Sequence, residues 1–466
     1  MTARFALDEL LTLEGARLHG ELPADKAQQT FSISTDSRNL GNGDLYLALK
    51  GERFDGHSFV SAALSKSALA IIEHGQAAAI IAALQDKGGH GEGYCLLSVP
   101  DTLAAYQALA QLYRRRLKAK VIGITGSSGK TTTKEMTACA LSSMAVHKSK
   151  ANENNEIGVP KTILAMAEDT QVLILEMGMR GLGQIAELAA CGLPDIGIIT
   201  CAGTTHIELL GSRENIARAK SELFAFLDGE QGLAIVGEPA EHLMAEVARV
   251  YQGPLKTYEP VEIVEADSQG TTFRLSGSSQ KYRVRAHGQA LLQDSWCAIQ
   301  AALACGLSAE AVAAGLSQFA PVEGRGNATA TAGGAVLVDE SYNANPDSVR
   351  CAVEAILSQA YPQSKKIVVL GEMAELGDYT QALHRELGEW LKDKALSLLV
   401  TVGPVAREIA DAAGGAAFSV VAVDEQGEAL SLLGEQLKRD SDVCIMVKGS
   451  HCTNLDKLVG ELIRLN

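Results

Sequence analysis

The residues from Gly123 to Thr133 read GITGSSGKTTT, and their types suit the binding of a polyphosphate. A β-branched run precedes this segment and a helical pattern follows it, so its backbone N–H groups can surround phosphates at the positive end of a helix. Gly126 and Gly129 permit backbone geometry that a side chain would block. Lys130 can neutralise the β- and γ-phosphates, and the Thr131 hydroxyl can bind Mg²⁺. The chemistry expected here is the binding of a nucleotide and the transfer of its terminal phosphate.

The spacing of this loop departs from the common phosphate-loop pattern. That pattern places a glycine five residues before Gly129, where this chain has Ile124, and Gly123 lies one position too early. We therefore expect a loop that is one residue longer, or a variant loop. The alternative is a glycine-rich turn that only begins a helix. The strand, the Gly-Lys-Thr sequence and the helix together favour the phosphate loop.

Three further polar residues follow predicted strands or helices of the same region. Glu176 ends the apolar run VLILEM, His206 comes after the run IGIIT, and Lys220 lies one helix further along. Each has an ordinary structural interpretation when taken alone, as a helix cap, a surface histidine or a solvated helix face. Because a carboxylate at the carboxyl end of a parallel strand faces the ligand crevice, the three together predict a catalytic and metal-binding site.

The chain has 466 residues, enough for about three domains of ~150 residues. Short β-rich apolar runs alternate with helical runs, which predicts an α/β protein with parallel sheets covered by helices. We expect an N-terminal domain over residues 1–118, a central domain with the phosphate loop over 119–326, and a C-terminal, doubly wound Rossmann-like domain over 327–466. The runs that mark the first two domains are Asp44 to Leu49, Leu69 to Glu73, Tyr94 to Val99, Val121 to Thr125, Val172 to Met177, Ile196 to Thr200 and Leu233 to Gly237, with helices from about Thr102 to Leu117, Asp294 to Cys305 and Ser308 to Phe319.

Composition excludes several classes of protein. The formal net charge is −15, which disfavours a partner that is nucleic acid, because such binding depends on Lys and Arg neutralising phosphates. The nine cysteines form no CxxC pair and indicate reduced thiols in the cytoplasm. Asp8 and Glu9 argue against a signal peptide. No run reaches the ~18 apolar residues of a membrane span.

Several segments together resemble the Mur ligases, and the resemblance covers essentially the whole chain. The closest similarity is to members that join D-alanyl-D-alanine to UDP-N-acetylmuramoyl-tripeptide. The segments that carry it are STDSR (Ser34 to Arg38), GDLYLALKGERFDGH (Gly43 to His57), GITGSSGKTT, NENNEIGVP (Asn152 to Pro160), EMG (Glu176 to Gly178), TTHIELLGSRENIARAKSELF (Thr204 to Phe224), DESYNANPDS (Asp339 to Ser348), VLGEMAELG (Val369 to Gly377) with His384, and VKGS (Val447 to Ser450).

The resemblance implies an N-terminal domain that binds the UDP-sugar, a central ATPase domain and a C-terminal ligase domain. The implied catalytic residues are Lys130, Glu176, His206 and Lys220. The implied Mg²⁺ ligands are Thr131, Glu176 and His206. Lys220 matches a lysine that becomes a carbamate in related ligases. The implied ATP-binding residues are Gly126, Ser127, Ser128, Gly129, Lys130, Thr131, Thr132, Arg325, Glu340 and Asn343. The implied substrate-binding residues are Ser37, Arg38, Asn154, Asn155 and Lys448.

The chain departs from the family pattern at positions expected to contact the nucleotide. The family's His-Asn-x-x-Asn sequence is replaced, an Asp before Ser341 is Glu340, and the Arg after Lys-Gly-Ser is His451. These departures predict altered nucleotide contacts or reduced activity, and weaker adenine contacts from the helix near residue 294. The substituted positions are Ala290, Leu291, Asp294, Glu340, Glu372 and His451.

The activity implied by the resemblance is ATP-dependent ligation through an acyl phosphate, carried out by a cytoplasmic monomer in peptidoglycan synthesis. Two alternatives remain open. The first is another ligase on the same scaffold, such as one that extends folate with glutamate; the run YNANP (Tyr342 to Pro346) argues against the diaminopimelate- or lysine-adding type. The second is a nucleotide-dependent binding or switch protein without ligase chemistry, since a fold does not prove an activity.

Overall fold

The computed structural model describes residues 3–22, 28–51, 54–86, 95–267, 269–285, 287–331, 333–358, 361, 363–440 and 442–465. These residues form two compact units. The first unit comprises Met1–Gly123, Met144–Gly178 and Ala186–Asp195. The second comprises Ile124–Ser143, Met179–Ile185 and Ile196–Asn466.

The strands are β1 Arg4–Phe5, β2 Arg17–Gly20, β3 Phe31–Ser34, β4 Asp44–Leu47, β5 Leu69–Glu73, β6 Cys95–Val99, β7 Lys120–Thr125, β8 Val146–Lys148, β9 Val172–Glu176, β10 Ile196–Ile199, β11 Leu233–Val236, β12 Leu255–Thr257, β13 Glu262–Asp267, β14 Gly270–Arg274, β15 Lys281–Val284, β16 Asn327–Ala330, β17 Val336–Glu340, β18 Lys365–Leu370, β19 Leu398–Val402, β20 Ser419–Val423 and β21 Val443–Lys448.

The α-helices are α1 Leu7–Leu10, α2 Val60–Leu64, α3 His74–Asp86, α4 Thr102–Arg116, α5 Lys130–Ala140, α6 Gly158–Leu164, α7 Gln184–Gly192, α8 Ile207–Leu210, α9 Arg213–Ser221, α10 Glu241–Val250, α11 Gln289–Ala304, α12 Ala309–Leu316, α13 Pro346–Ile356, α14 Thr380–Leu391, α15 Arg407–Ala412, α16 Gln426–Arg439 and α17 Leu455–Arg464. None of these helices, in the ranges described, has the length and apolar character needed to cross a membrane.

The first unit contains a six-stranded sheet in the order β1-β3-β4-β5-β6-β2. Strands β3 to β6 are parallel, and β1 and β2 join antiparallel at the two edges. Strands β5 and β6 are buried almost throughout, because their apolar runs are covered on both faces, as is usual for parallel strands. Tyr94, the predicted first residue of β6, lies outside the described residues. The parallel pair β8 and β9 also belongs to this unit.

The second unit carries the parallel strands β10, β11 and β12 and a three-stranded antiparallel sheet, β13-β14-β15. Helix α11, which follows β15, begins at Gln289 rather than at the expected Asp294. Asp294 is therefore one turn inside the helix rather than at its start. Because Asp294 lies inside α11, the helix backbone determines the direction of its side chain, whose carboxyl group contacts Thr133 of α5.

The last sheet has the order β16-β17-β21-β18-β19-β20. Strand β16 is antiparallel to its neighbour β17, and the other strands are parallel. Strand β21 is entirely buried between β17 and β18. In such a sheet, ligands bind at the carboxyl ends of the strands, which here include Glu340 and Lys448. The predicted α/β fold with parallel sheets is confirmed, whereas the exact domain boundaries stay a prediction.

Candidate active site

The predicted phosphate loop joins β7 to α5. Gly129 is the residue before the helix and has φ +79°, and a Cβ there would lie 2.5 Å from Asp294 Oδ1. A Cβ on Gly126 would lie 1.8 Å from Thr200 Oγ1. Both positions therefore require glycine. Lys130 begins the helix, and its Nζ donates to the Gly126 carbonyl over 2.6 Å, so the lysine side chain folds back over the loop.

The loop is braced by the segment that follows β10. The Gly203 N–H donates to Ser127 Oγ (2.9 Å), and the Thr205 hydroxyl donates to the Ser127 carbonyl (3.1 Å). Ser128 Oγ lies 3.2 Å from Cys201 Sγ. These bonds fix the loop backbone before any ligand arrives, which is the arrangement expected of a preformed phosphate site.

Asp294 places a buried carboxyl group against the first turn of α5. The Thr133 hydroxyl donates to Asp294 Oδ1 over 3.0 Å, and the carboxyl oxygens also face Gly129. Burial raises the pKa of Asp294 to about 7, while the Thr133 hydrogen bond and the charge of Arg325 act in the opposite direction. Sequence reasoning treated this residue as a lost adenine contact, whereas its carboxyl group packs against the phosphate loop. The two other residues predicted on this turn, Thr131 and Thr132, are buried.

In the first unit, Glu176 ends β9 and is buried. Its carboxylate accepts a hydrogen bond from Asn154 Nδ2 (2.9 Å), and its backbone N–H donates to Ser149 Oγ (3.1 Å). The neighbouring Asn155 accepts from the Gly158 N–H (2.9 Å) at the start of α6. The structure thus brings together two predicted residues, Glu176 and Asn154, while the Asn155 side chain supports a helix start.

His206 lies beside Glu375, a residue of the VLGEMAELG segment to which the sequence assigned no role. Its Nδ1 lies 2.8 Å from Glu375 Oε2, a distance at which a protonated imidazole would pair with the carboxylate, and the contact lacks the alignment of a hydrogen bond. Both residues have left-handed backbones, with φ +64° for His206 and +61° for Glu375. Such conformations of non-glycine residues cost of order 1–3 kcal/mol and concentrate at functional sites. The imidazole of His206, with Arg180 and Lys130, holds the pKa of Glu375 below its ordinary value.

Lys220 is fully buried on α9. Removal from water, together with the positive charge of Lys130, lowers the pKa of Lys220 to about 7. A substantial fraction of this side chain is therefore the neutral amine at neutral pH. That state is the nucleophilic form of a lysine.

Glu340 and Asn343, predicted to bind ATP, lie at and just after the end of β17, beside Lys448 at the end of β21, which was predicted to bind substrate. The buried Lys448 Nζ donates to Glu340 Oε2 and to the Asn343 carbonyl, each over 3.0 Å. The Glu340 side chain, one methylene longer than the aspartate of the family pattern, makes an ion pair with Lys448 in this site.

Arg325 lies beside an aromatic stack. Its guanidinium carbon is 4.0 Å from the centre of the Tyr342 ring, and the His451 ring stacks on the same tyrosine at 6.0 Å between centroids. Arg325 Nε is buried and makes no hydrogen bond within the described residues. A buried guanidinium donor in this state is suited to a phosphate or carboxylate oxygen.

A cluster of side-chain bonds joins the segment after β10 to the start of α13. Asp347 accepts from the backbone N–H (2.9 Å) and the hydroxyl (3.0 Å) of Thr204, and Asn345 Nδ2 donates to Thr205 Oγ1 (2.9 Å). No local sequence pattern predicted these contacts. They position His206, the next residue, and the DESYNANPDS segment relative to each other.

In the N-terminal sheet, the predicted substrate residues Ser37 and Arg38 form a short 3₁₀ helix. Arg38 is highly exposed and pairs with Asp36, Nε to Oδ1, over 2.9 Å. This pairing lowers the pKa of Asp36 to about 2. The guanidinium is thus oriented by its neighbour while remaining open to a ligand.

Three segments of the chain match families of Mur ligase domains. Residues 31–114 match the Mur ligase family catalytic domain, residues 124–302 the Mur ligase middle domain, and residues 324–451 the glutamate ligase domain. A Synechocystis protein named UDP-N-acetylmuramoyl-tripeptide--D-alanyl-D-alanine ligase is 36% identical over 438 residues, covering 93% of this chain and 92% of that protein. The chain belongs to the Mur ligase family.

Solved structures of Mur ligases superpose on nearly the whole chain. A crystal structure of MurF from Acinetobacter baumannii has a TM-score of 0.84 and 30% identity, with 99% of both chains covered. MurF from Thermotoga maritima in complex with ADP has a TM-score of 0.79 and 25% identity, covering 93% of this chain and 97% of that one. This Mur ligase therefore has the three-domain α/β architecture expected from its sequence, and it is an enzyme of the ligase class.

Proposed function

We propose that this Mur ligase joins the amine of D-alanyl-D-alanine to the terminal carboxylate of UDP-N-acetylmuramoyl-tripeptide, with conversion of ATP to ADP and phosphate. The observation that carries this proposal is the 36% identity over 93% of the chain to a protein named for that reaction. The preformed phosphate loop at Lys130 supports it, because the loop supplies the nucleotide site that the reaction needs.

The reaction follows from the weakness of a carboxylate as an acylating agent. The tripeptide carboxylate attacks the γ-phosphorus of ATP, a carboxyl C–O–P linkage forms, and ADP leaves. The ammonium first releases one proton to the solvent, and the resulting amine attacks the acyl carbon. The C–N bond forms, the C–O bond to the phosphate breaks, and the departing phosphate takes the second N–H proton. Lys130 and the loop N–H groups stabilise the charge on the transferred phosphate. Closure over the intermediate keeps water from hydrolysing it.

ATP contacts extend from the loop to the C-terminal domain. Ser127, Ser128, Gly129, Thr131 and Thr132 lie on the loop and the first turn of α5, where backbone donors meet phosphates. Arg325 offers a buried Nε without a hydrogen bond in the described ranges, which fits a phosphate oxygen. Glu340 and Asn343 would hold the nucleotide from β17, and Lys448 would transfer its contacts from them to the phosphates.

The family resemblance implies Thr131, Glu176 and His206 as Mg²⁺ ligands, and we propose that each of them would bind the metal. A hydroxyl and a carboxylate are hard oxygen ligands, and the buried Nδ1 of His206 makes no aligned hydrogen bond among the described residues. When bound, Mg²⁺ neutralises charge on the phosphate oxygens. In the described ranges, no three His, Cys, Asp or Glu side chains form a metal cage. A site with few protein ligands is typical of Mg²⁺, because this ion usually takes its other ligands from phosphates and water.

Lys220 fits the carbamate that the family resemblance implies. Its pKa of about 7 provides the neutral amine, which can add to CO₂ with release of one proton and become an anion. An anion there would remove the repulsion between Lys220 and Lys130. We propose this modification as part of the active site.

The remaining assignments concern the substrate and the state of the enzyme. Ser37 and the exposed Arg38 would contact the UDP-sugar, and Asn154 and Asn155 would lie near the acceptor peptide. We propose a cytoplasmic monomer with domains at residues 1–118, 119–326 and 327–466.

The test is ADP release by the purified protein with each UDP-muramoyl tripeptide, with and without D-alanyl-D-alanine, and with a folate as control. We expect ADP release that requires both peptide substrates. ADP release at one slow rate with every candidate would instead favour a nucleotide-dependent switch protein. Glutamate-dependent release with the folate would favour the folate-extending alternative.

A further inference from the structure

Glu375 places a carboxylate at the metal and phosphate site from the C-terminal sheet. It lies in the loop that follows β18, and its Oε2 is 2.8 Å from His206 Nδ1. The Glu375 side chain remains 47% exposed, so it can accept a further donor from a ligand. The ligation steps described above leave this carboxylate without a role.

The loop that carries Glu375 is fixed on both sides. The Met373 N–H donates to His384 Nε2 (3.0 Å), and the other ring nitrogen of this buried histidine bonds the Thr380 carbonyl (2.6 Å). The Ala374 N–H donates to Ser450 Oγ (2.8 Å). Because these bonds hold the two preceding residues, the left-handed backbone of Glu375 is imposed by its surroundings. A carboxylate held in this way is preorganised for binding.

The charges around Glu375 change when a nucleotide binds. The carboxylate lies within electrostatic reach of Lys130 and Arg180. Once the γ-phosphate binds Lys130, the positive charge of that lysine is shared with the phosphate, and the exposed part of the Glu375 carboxylate can accept a cationic group. The incoming substrate of the second half-reaction carries one, because the α-amino group of a dipeptide is an ammonium for much of the neutral pH range. That ammonium must also approach the acyl phosphate formed at Lys130.

We propose that Glu375 binds the ammonium group of the incoming amine substrate and thereby selects substrates with a free amino group. This inference rests on the proposed ligation of D-alanyl-D-alanine. Glu375 holds the amino end of the dipeptide beside the phosphate loop, and the loop after β18 determines the position of that carboxylate.

The direct test is Glu375→Gln, which keeps the shape of the side chain and removes its charge. We expect the KM for D-alanyl-D-alanine to rise between about tenfold and a hundredfold, the range of a charge-assisted hydrogen bond. Acyl phosphate formation should change by less than about twofold, because it precedes the amine. That step is measured without dipeptide, as movement of oxygen-18 out of the β–γ bridge of ATP. Glu375→Asp should show an intermediate KM.

A chemical control isolates the ammonium contact. Propionyl-D-alanine is D-alanyl-D-alanine without its amino group, and its binding as a competitive inhibitor can be compared with the dipeptide KM. We expect loss of the amino group to weaken binding to the wild type but to have little further effect on Glu375→Gln, as in a double-mutant cycle. Glu425→Gln, an exposed carboxylate before α16, is the matched variant and should leave all values unchanged.

These experiments distinguish a failure of the proposed function from a failure of the inference about Glu375. Failure of the wild type to use D-alanyl-D-alanine would overturn the proposed function and this inference together. A normal KM in Glu375→Gln, with an active wild type, would overturn the inference alone. Loss of oxygen-18 movement, or a shifted Mg²⁺ titration with a normal dipeptide KM, would assign Glu375 to the metal and equally overturn ammonium binding.

Discussion

Lys130 is the residue on which the first half of the proposed reaction would depend. Its Nζ bonds the Gly126 carbonyl in the phosphate loop, and this contact must be exchanged for the phosphates of ATP. The exchange replaces a neutral acceptor with a charged one, which makes a stronger hydrogen bond. Lys130 can therefore leave its internal partner when the nucleotide enters.

We expect Lys130→Ala to reduce product formation by at least about a hundredfold, since removing one charge-stabilising donor commonly costs 10²–10³ in rate. Product is measured by chromatography after incubation with ATP and both peptide substrates. The fold should persist, as judged by circular dichroism. Lys161→Ala, an exposed lysine on α6, is the control. Product formation near the wild-type rate in Lys130→Ala would remove the loop from the mechanism.

Asp294 makes the stability of the protein depend on pH. Its pKa is about 7 in the folded chain and about 3.9 in an unfolded one. Between these values the folded state holds a proton that the unfolded state has released, so stability falls as pH rises from about 4 to 7. Below about pH 4 the carboxyl is protonated in both states, and above about pH 7 the loss of stability that comes from its ionisation has reached its full size.

We expect Asp294→Asn to remove this part of the pH dependence, because an amide cannot ionise. The wild type should lose about 3 kcal/mol more stability than the variant between pH 5 and 8, because this window covers about two of the three pKa units of the shift at ~1.4 kcal/mol each. Thermal unfolding at the two pH values measures the difference. Asp411→Asn, an exposed carboxyl on α15, should retain the wild-type slope. Equal slopes in wild type and Asp294→Asn would contradict the buried-acid interpretation.

Residues whose role depends on local sequence were predictable. Lys130, Gly126 and Gly129 were expected from their spacing, and the structure places them in one preformed loop. The pairing of Glu375 with His206 was not predictable, because it joins residues 169 positions apart (375 − 206) and no local pattern links the two segments that carry them. The carboxyl end of β18 was the one local signal, since ligands meet parallel strands there.

The side chain of Asn345 both caps the start of helix α13 and bonds the segment after β10. Asn345 accepts from the Ser348 N–H (2.8 Å), and the Ser348 hydroxyl accepts from the Asn345 N–H (3.1 Å), which forms a capping box. The amide nitrogen of Asn345 simultaneously donates to Thr205. The start of this helix thus depends on the same residue that contacts the segment after β10.

We expect Asn345→Ala to lower the free energy of unfolding by about 2 kcal/mol. The loss of the cap costs about 1 kcal/mol, and a buried Thr205 hydroxyl left without its donor adds a similar amount. Ser308→Ala removes the side-chain cap of α12 and should cost only about 1 kcal/mol. Urea unfolding of both variants makes the comparison. A loss in Asn345→Ala no larger than in Ser308→Ala would show that the Thr205 contact contributes nothing.

Elements with long apolar runs were predicted, and polar ones were missed. Strands β5, β9 and β18 are buried runs of Ile, Leu and Val that any β-propensity reading detects. Strand β13, with the sequence EIVEAD, was not predicted because its residues are largely exposed and carry charge. Its pairing with β14 comes from the antiparallel ladder rather than from burial of one face.

At the scale of the whole molecule, the first and the last six-stranded sheets are each built from one continuous stretch of the chain. The strands of the last sheet all lie between Asn327 and Lys448, and those of the first between Arg4 and Val99. The predicted C-terminal domain, residues 327–466, therefore contains a complete sheet with its own apolar core. The boundary at residue 327 rests on the alternation of strands and helices in the sequence, and it stays a prediction.

We expect a fragment of residues 327–466 to fold alone. Circular dichroism should show mixed helix and strand, and heating should produce one cooperative transition. The matched control is residues 327–440, which lacks β21 and so leaves β17 and β18 without their common partner. This shorter fragment should be unfolded or aggregated. A folded shorter fragment, or an unfolded longer one, would contradict the predicted domain.

The position of β21 also affects how the protein is synthesised. Strand β21, in the middle of the last sheet, is the last of its six strands to leave the ribosome, so β17 waits for this partner through the synthesis of about a hundred residues and β18 through about seventy. At about 5–20 residues per second, this delay lasts on the order of 5–20 seconds. A message truncated near its end would release a chain with two open sheet edges, and quality-control proteases would meet it before any ligase had formed.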